Sequence, residues 1–265
     1  MKDYEILRVK TENNVIEYIK FGEGKKTMAI LPGLSLKSVI FSARAIVSAY
    51  SLFKKDYTVY LFDRAEIIPD GYDVYAMAQD TASAIFRLKL KDIYLFGVSQ
   101  GGAIAQVLAV NHPYLIKKLV LASTFSKVSG ITEKALNEWV EIAQTGDHTA
   151  LNRKIFELTF SEKTLKDNAL LLSLLSREGG GKDCERFIKL AKATERFDIS
   201  DKLGKIVCPT LVLGAENDKI VPKSEMDSIA RRIGCEKFIY AGYGHAVYDE
   251  APDFKQRISE FFGEE

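Results

Sequence analysis

The feature that most constrains how this chain can fold is the alternation of short apolar runs with longer helical stretches. An alternating polar and apolar segment at 15–19 is followed by four nearly continuous apolar runs of strand length, at 27–31, 57–62, 92–96 and 118–122. Such runs are typical of strands buried on both faces, as in a parallel sheet. Helical patterns separate them, one after a capping Asp73 and another at 102–110. The alternation predicts an α/β fold, with a mostly parallel, doubly wound sheet between helices.

The middle of the chain, 125–203, differs because helical stripes occur there without a convincing strand. Some side chains of its leucine-rich run at 165–175 are expected to pack among the helices of this segment, whose underside is expected to be apolar. Three glycines at 179–181 predict a loop or hinge, since glycine carries a high entropic cost in a helix. Strand and helix signals resume at 210–213, 223–233, 237–240 and 253–262. We therefore expect one core formed by 1–124 and 204–265, interrupted by a helical insertion.

Composition excludes several classes of function. The 37 Lys and Arg residues balance the 36 Asp and Glu residues and interleave with them, so no long-range field attracts nucleic acid or an anionic membrane. No segment approaches the roughly 20 apolar residues of a membrane span, and the charged start at 1–5 lacks the apolar core of a signal peptide. Three cysteines and three histidines, widely spaced, suggest neither disulfides nor a metal site. We expect a cytoplasmic protein without a metal, a nucleic-acid partner or a membrane partner.

Two glycine motifs differ in what they predict. Gly22 and Gly24 lack the third glycine of a dinucleotide-binding fingerprint and are interpreted as a hairpin turn. The pentapeptide Gly-Val-Ser-Gln-Gly, 97–101, lies between a predicted strand and a predicted helix. A sharp strand-to-helix turn lifts the serine hydroxyl above the sheet, and crowding at the turn favours glycine on either side. Ser99 is therefore a candidate nucleophile, and the backbone N–H of Gln100 can face a developing oxyanion. The alternative is an ordinary glycine-rich turn.

A serine hydroxyl needs a base to take its proton, which directs attention to the three histidines. His245 follows the predicted strand at 237–240 through the turn at 241–244, so it lies at the edge where α/β sheets bind ligands. His112 and His148 lie at helix breaks and are interpreted as capping or loop residues.

The base needs a carboxylate to orient it. Asp218 lies in a polar turn after the predicted strand at 210–213, which brings it to the same edge of the sheet. Glu216 is a competitor two residues earlier, and Asp249 and Glu250 are weaker ones. For Asp218 the alternative role is the N-cap of the following helix.

Ser99, Asp218 and His245 occur in the chain order of the α/β-hydrolase triad, and nearly the whole sequence resembles that superfamily. The resemblance implies a sheet of about eight strands with a helical cap inserted after the sixth, which is where 125–203 falls. It also implies that the loop at 31–35 supplies a second oxyanion donor, by position the N–H of Leu34.

Two motifs depart from the family pattern. Pro32 precedes Gly33 where the family often has histidine, and the tetrapeptide Asp-Arg-Ala-Glu at 63–66 matches its Asp-x-Arg-Gly only in part. Both departures leave the catalytic atoms in place, because the oxyanion donors are backbone groups.

The sequence thus predicts a serine hydrolase that cleaves an ester, thioester, lactone or activated carbon–carbon bond of a small, largely apolar acyl substrate. Ser99 attacks, His245 serves as general base and then as acid, and Asp218 orients it. No cofactor is required. One alternative is a cofactor-free acyltransferase or perhydrolase with the same triad. Another is a ligand receptor or signalling protein that keeps the fold and turns over slowly.

Overall fold

Eight strands form one open sheet in the computed structural model, which describes residues 3–128 and 130–264. The strands are β1 (Tyr4–Lys10), β2 (Val15–Phe21), β3 (Lys26–Leu31), β4 (Tyr57–Phe62), β5 (Ile93–Val98), β6 (Ile116–Ala122), β7 (Thr210–Ala215) and β8 (Glu236–Tyr240). Their order is β1-β2-β4-β3-β5-β6-β7-β8. The β1–β2 and β2–β4 pairs are antiparallel, and all other pairs are parallel. The prediction of a mostly parallel α/β sheet is confirmed.

Helices cover both faces of this sheet. They are α1 (Ala43–Ala49), α2 (Val74–Arg87), α3 (Gln100–Asn111), α4 (Gly130–Gln144), α5 (His148–Thr159), α6 (Glu162–Asp167), α7 (Ala169–Leu175), α8 (Gly181–Lys192), α9 (Lys223–Ile233), α10 (Val247–Glu250) and α11 (Phe254–Gly263). Met77 of α2 and Ile229 of α9 are buried in the core on one face, and Val47 of α1 and Phe254 of α11 in the core on the other. No helix in the described ranges is both long and apolar enough to cross a membrane.

Two features of the first 31 residues differ from the sequence-based prediction. The edge strand β1 was not identified because its side chains are mostly exposed, with Val9 as its one buried position. The interpretation of Gly22 and Gly24 as a hairpin turn is wrong, since β4 lies between β2 and β3 in the sheet. These glycines instead belong to a crossover connection, whereas the hairpin of this region joins β1 to β2.

The segment between β6 and β7 contains the five helices α4 to α8. Its described part contributes no strand to the sheet, although Lys127 and Asp198 form an isolated antiparallel bridge. Helix α7 is partly exposed, since its leucines Leu170, Leu171, Leu174 and Leu175 are between 40% and 77% exposed. The leucine-rich run therefore does not pack wholly inside the insertion. The division into a core and a cap stays a prediction.

The sheet changes direction between β3 and β5. From β3 the chain continues to β4 on one side, and from β5 it continues to β6 on the other. The loops that follow β3 and β5 therefore leave in opposite directions and open a crevice at the carboxyl edge of the sheet, where α/β proteins bind ligands.

Candidate active site

Ser99 lies at the turn from β5 to α3, in an unusual backbone conformation. Its φ of 51° and ψ of −122° place it outside the regions that non-glycine residues normally occupy. The turn is tight, because a Cβ on Gly97 would lie 2.7 Å from Gly101 O and one on Gly101 only 2.0 Å from Leu31 O. Strained residues of this kind persist where the surrounding structure over-determines them, which occurs most often at functional sites.

The loop after β3 runs directly against Ser99. A Cβ added to Gly33 would lie 3.3 Å from Ser99 Cβ. In the described part of the chain, neither the N–H of Leu34 nor that of Gln100 donates a hydrogen bond to another protein group. The two predicted oxyanion donors thus flank the serine and are both unpaired.

His245 and Asp218 form a buried pair. His245 Nδ1 lies 2.8 Å from Asp218 Oδ2, and the two side chains are 6% and 1% exposed. The other oxygen, Asp218 Oδ1, accepts hydrogen bonds of 2.8 Å from the N–H groups of Ile220 and Val221. These bonds hold the carboxylate in place at the start of the segment that leads to α9. Asp218 therefore organises the local turn, as its alternative role anticipated, and contacts His245 as well.

The competing residues lie elsewhere. The exposed Glu216 makes no side-chain hydrogen bond in the described part of the chain, and the Glu250 carboxylate accepts from the N–H and the hydroxyl of Ser161. His112 packs edge-on against Phe86, and His148 contacts the Arg177 carbonyl at the start of α5. None of these side chains reaches the His245 ring.

Ser99 and His245 line one cavity of about 380 Å³ between the sheet edge and the insertion. Within the described ranges Ser99 Oγ has no hydrogen-bond partner, so the serine and the imidazole share the cavity without a direct bond. Catalytic hydrogen bonds often tighten only when substrate binds. The arrangement offers a hydroxyl, an imidazole held by a carboxylate, and two free N–H groups around one space.

The cavity walls are mainly apolar, and sequence patterns did not identify which side chains line them. The apolar side chains come largely from the insertion: Trp139, Ile155, Phe156, Phe160, Leu175 and Phe187. Near the oxyanion loop the lining is hydroxylated, with Ser35, Ser38 and Ser42. Apart from His245, the charged residues that line the described cavity are Lys37 and Glu178, which pair with each other at 3.1 Å.

A buried arginine next to the site was also missed. Arg64 is 8% exposed and donates from Nε to Gln100 Oε1 at 2.9 Å, while its Nη2 donates to the carbonyl of Pro32. The partial Asp-x-Arg-Gly match was the available signal, but it named neither contact.

The described part of the chain contains neither a disulfide nor a cluster of metal-ligating side chains. Cys184, Cys208 and Cys235 are free thiols. In the described ranges no three His, Cys, Asp or Glu side chains converge in a way that could hold a metal ion.

Comparison with known proteins identifies the family. The sequence model of the alpha/beta hydrolase fold matches residues 26–252. The pyrrolizixenacetamide deacetylase of Xenorhabdus hominickii is 27% identical over 187 residues, covering 68% of this chain and 69% of the relative. Among solved structures, MGS-M2, an alpha/beta hydrolase enzyme from a Medee basin deep-sea metagenome library, matches with a TM-score of 0.86 and 23% identity, covering 98% of each chain. The enol-lactonase from Burkholderia xenovorans LB400 matches with a TM-score of 0.85 and 16% identity, covering 97% of this chain and 100% of that chain. Because the family match spans most of the chain and the superpositions span nearly all of it, this protein is a hydrolase that belongs to the alpha/beta hydrolase fold family.

Proposed function

We propose that this protein is a serine hydrolase that cleaves a small, neutral, largely apolar acyl substrate, an ester, lactone or thioester, through an acyl-enzyme on Ser99. The observation that carries the proposal is the buried 2.8 Å contact between His245 and Asp218 beside the cavity that Ser99 lines. A positive-φ serine, a carboxylate-bound imidazole and two unpaired N–H groups are the parts that acyl transfer requires.

The hydrogen bonds around Asp218 favour one tautomer of the neutral base. Since Asp218 Oδ1 already accepts two backbone N–H groups, its Oδ2 serves as the acceptor for His245 Nδ1–H. The proton on Nδ1 leaves Nε2 with a lone pair. Nε2 takes the Ser99 hydroxyl proton as Oγ attacks the substrate carbonyl carbon, and the carbonyl π electrons move to oxygen. Asp218 remains ionised and stabilises the imidazolium.

The tetrahedral intermediate needs donors for its oxyanion, and the N–H groups of Leu34 and Gln100 supply them. When the intermediate collapses, the leaving group departs with the proton from His245 Nε2. Water then repeats the sequence on the acyl-enzyme, with His245 again as base. No metal or cofactor is needed in this scheme.

The substrate class follows from the cavity lining. A volume of about 380 Å³ lies near the lower end of ligand pockets, which favours a small substrate. Apolar side chains from α4, α5, α7 and α8 favour an apolar acyl group. Because Lys37 and Glu178 neutralise each other, no free cation is available to hold a substrate carboxylate in the described cavity. We therefore propose a neutral substrate, with the insertion acting as a cap that supplies the specificity.

The test is covalent labelling combined with turnover. A fluorophosphonate should label the wild-type protein on the peptide that contains Ser99, and Ser99→Ala should abolish labelling. The same variant should lower kcat on p-nitrophenyl esters by roughly 10⁴–10⁶. Ser38→Ala is the matched control, because it removes another hydroxyl from the same cavity. Equal turnover by Ser99→Ala and the wild type would overturn the proposal.

The substrate panel separates the remaining activities. It contains p-nitrophenyl esters of increasing chain length, lactones, acyl-thioesters and an acetamide, the last because one relative is named as an acetamide deacetylase. Addition of alcohols or hydrogen peroxide tests for transfer to acceptors other than water. If the protein is labelled but shows multiple turnover with none of the substrates in the panel, a receptor is favoured over an enzyme.

A further inference from the structure

The guanidinium of Arg64 contacts both arms of the proposed oxyanion hole from behind. Its Nη2 donates to the carbonyl of Pro32, two residues before Leu34. Its Nε donates at 2.9 Å to the side-chain oxygen of Gln100, whose backbone N–H is the second donor. One planar group thus joins the loop after β3 to the first residue of α3, although Arg64 itself follows β4.

This link matters because the two donors come from different loops. The loops after β3 and β5 diverge at the switch point of the sheet, and in the described ranges no backbone hydrogen bond joins the segments that carry the Leu34 and Gln100 N–H groups. Oxyanion stabilisation requires both donors within about 0.5 Å of their productive positions. Arg64 supplies such a link, because its side chain hydrogen-bonds to both arms at once.

Asp63, which precedes Arg64, and Gln100, which accepts a hydrogen bond from it, are themselves held by hydrogen bonds. Asp63 Oδ1 accepts from the backbone N–H of Arg64 at 2.7 Å and from Arg186 Nη2 of α8 at 3.2 Å. The amide of Gln100 donates to Leu190 O at 3.0 Å and to Thr194 Oγ1 at 2.7 Å, at the end of α8. The two contacts of the guanidinium therefore belong to a wider hydrogen-bond network that reaches α8.

An arginine fits this position better than a lysine. Its planar fork can direct two donors at fixed angles to two acceptors, whereas an ammonium acts as a flexible point charge. Burial lowers the pKa of Arg64 to about 10, with Asp63 acting in the opposite direction, so the group stays charged at neutral pH. Both hydrogen bonds are accordingly charge-assisted.

We propose that Arg64 is a positioning residue for acyl transfer, which sets the separation of the Leu34 and Gln100 N–H donors by holding Pro32 and Gln100 together. The proposal rests on the proposed function of Ser99. Arg64 touches no substrate in this scheme, so its effect is on the transition state and not on ground-state binding.

The test compares Arg64→Lys with Arg257→Lys, the same change at a partly buried arginine of α11 that hydrogen-bonds to Tyr240 and Asp253 and does not line the cavity. Four quantities are measured on each variant: kcat and KM for a p-nitrophenyl ester, affinity for trifluoromethyl hexyl ketone, and affinity for the corresponding alcohol. The ketone forms a tetrahedral adduct, in which Ser99 Oγ bonds to the carbonyl carbon, the carbonyl electron pair moves to oxygen and the hydroxyl proton goes to His245. The alcohol cannot form that adduct and reports ground-state binding.

Loss of one oxyanion donor typically costs about 10²–10³ in kcat, and a misplaced donor should cost less. For Arg64→Lys we expect kcat to fall by about 10- to 100-fold, with KM changed less than twofold. Ketone affinity should fall by a similar factor and alcohol affinity should stay constant. Arg257→Lys should leave all of these within about threefold.

A purely structural role gives a different result. In that case Arg64→Lys lowers the melting temperature, while kcat per titrated active site and ketone affinity match the wild type, and the proposal is overturned. Gln100→Leu tests the same link from its other end and retains the backbone donor, so the test does not depend on the folding of one variant. It should lower kcat and ketone affinity at least fivefold, and wild-type values would equally overturn the proposal. Failure of the proposed function itself would appear separately, as ketone binding that survives Ser99→Ala.

Discussion

Lys37 and Glu178 join the two sides of the cavity lining through an ion pair of 3.1 Å. Lys37 belongs to the segment after the oxyanion loop, and Glu178 belongs to the loop between α7 and α8. Their side chains are 30% and 59% exposed, so the pair should contribute less than about 1 kcal/mol to the free energy of unfolding. Its greater effect is on the net charge of the cavity lining, because each partner neutralises the other.

Glu178→Gln should therefore change the preference of the enzyme for charged substrates. The unpaired Lys37 would attract a carboxylate by about 1 kcal/mol in this partly solvated setting, which corresponds to roughly fivefold in kcat/KM. We expect that gain for a p-nitrophenyl hemisuccinate and little change for the neutral butyrate ester. Glu157→Gln, which removes an exposed charge paired to Lys154, is the control. An unchanged ratio of the two substrates in Glu178→Gln would contradict the proposal that this pair excludes anions.

The identity of the carboxylate that orients His245 can be tested by replacing each of two candidates with its amide. Asp218→Asn turns the acceptor that faces His245 Nδ1 into an amide and favours the wrong tautomer of the ring, so kcat should fall by roughly 10²–10⁴. Glu216→Gln alters an exposed side chain and should leave kcat within about twofold. Steady-state kinetics on one ester decide between them. A larger loss of kcat in Glu216→Gln than in Asp218→Asn would mean that Asp218 is not the carboxylate that orients His245.

The candidate triad could be predicted from sequence because its members depend on local rules. Ser99 lies in a five-residue motif between a strand and a helix. Asp218 and His245 each follow the end of a strand by a few positions. All three must therefore reach the same edge of a parallel sheet. Their order along the chain then reduced the alternatives among the carboxylates.

The contacts of Arg64 could not be predicted in this way. They depend on β3 lying between β4 and β5, which is a property of the whole sheet. Strand β1 was missed because an edge strand with exposed side chains carries little apolar pattern. Which leucines of α7 are buried could not be predicted either, since apolar composition alone does not locate the exposed face of a helix and Leu170 is 77% exposed.

Burial of Tyr57 predicts a contribution to stability at alkaline pH. Burial raises its pKa to about 12 in the folded protein, above the ordinary value near 10. The folded state therefore retains the proton that the unfolded state loses, so this contribution to stability is complete below pH 10 and is lost as the pH rises towards 12. In thermal unfolding near pH 11.5, Tyr57→Phe should recover roughly 1–2 kcal/mol of the wild-type loss, whereas Tyr114→Phe, at a 70% exposed site, should recover none. Parallel pH profiles for Tyr57→Phe and the wild type would contradict the prediction.

Two glycines at the start of α8, Gly179 just before it and Gly181 at its first position, should respond differently to alanine. Gly179 has a φ of 117°, and a Cβ there would lie 3.1 Å from Leu36 Cδ2, a side chain that lines the cavity. Gly179→Ala should therefore cost about 1–3 kcal/mol in the free energy of unfolding and also lower kcat/KM. Gly181 begins the helix with open space around it, so Gly181→Ala should be neutral or stabilising by up to about 1 kcal/mol. Equal melting temperatures for the two variants would show that the turn tolerates a side chain.

The chain-length preference of the enzyme should be set by the apolar wall that the insertion contributes. Each CH₂ buried there contributes about 0.8 kcal/mol, close to fourfold in kcat/KM, until the cavity is full. We therefore expect kcat/KM to rise from acetyl to medium-chain p-nitrophenyl esters and then to fall sharply. Ile155 lines this wall from α5, so Ile155→Ala should move the optimum one or two carbons longer and Ile155→Phe should move it shorter. Ile142→Ala makes a similar truncation at a half-buried site that does not line the cavity, and it should lower stability without moving the optimum. If both Ile155 variants keep the wild-type optimum, the acyl group does not lie against Ile155, and this part of the wall does not set the chain-length preference.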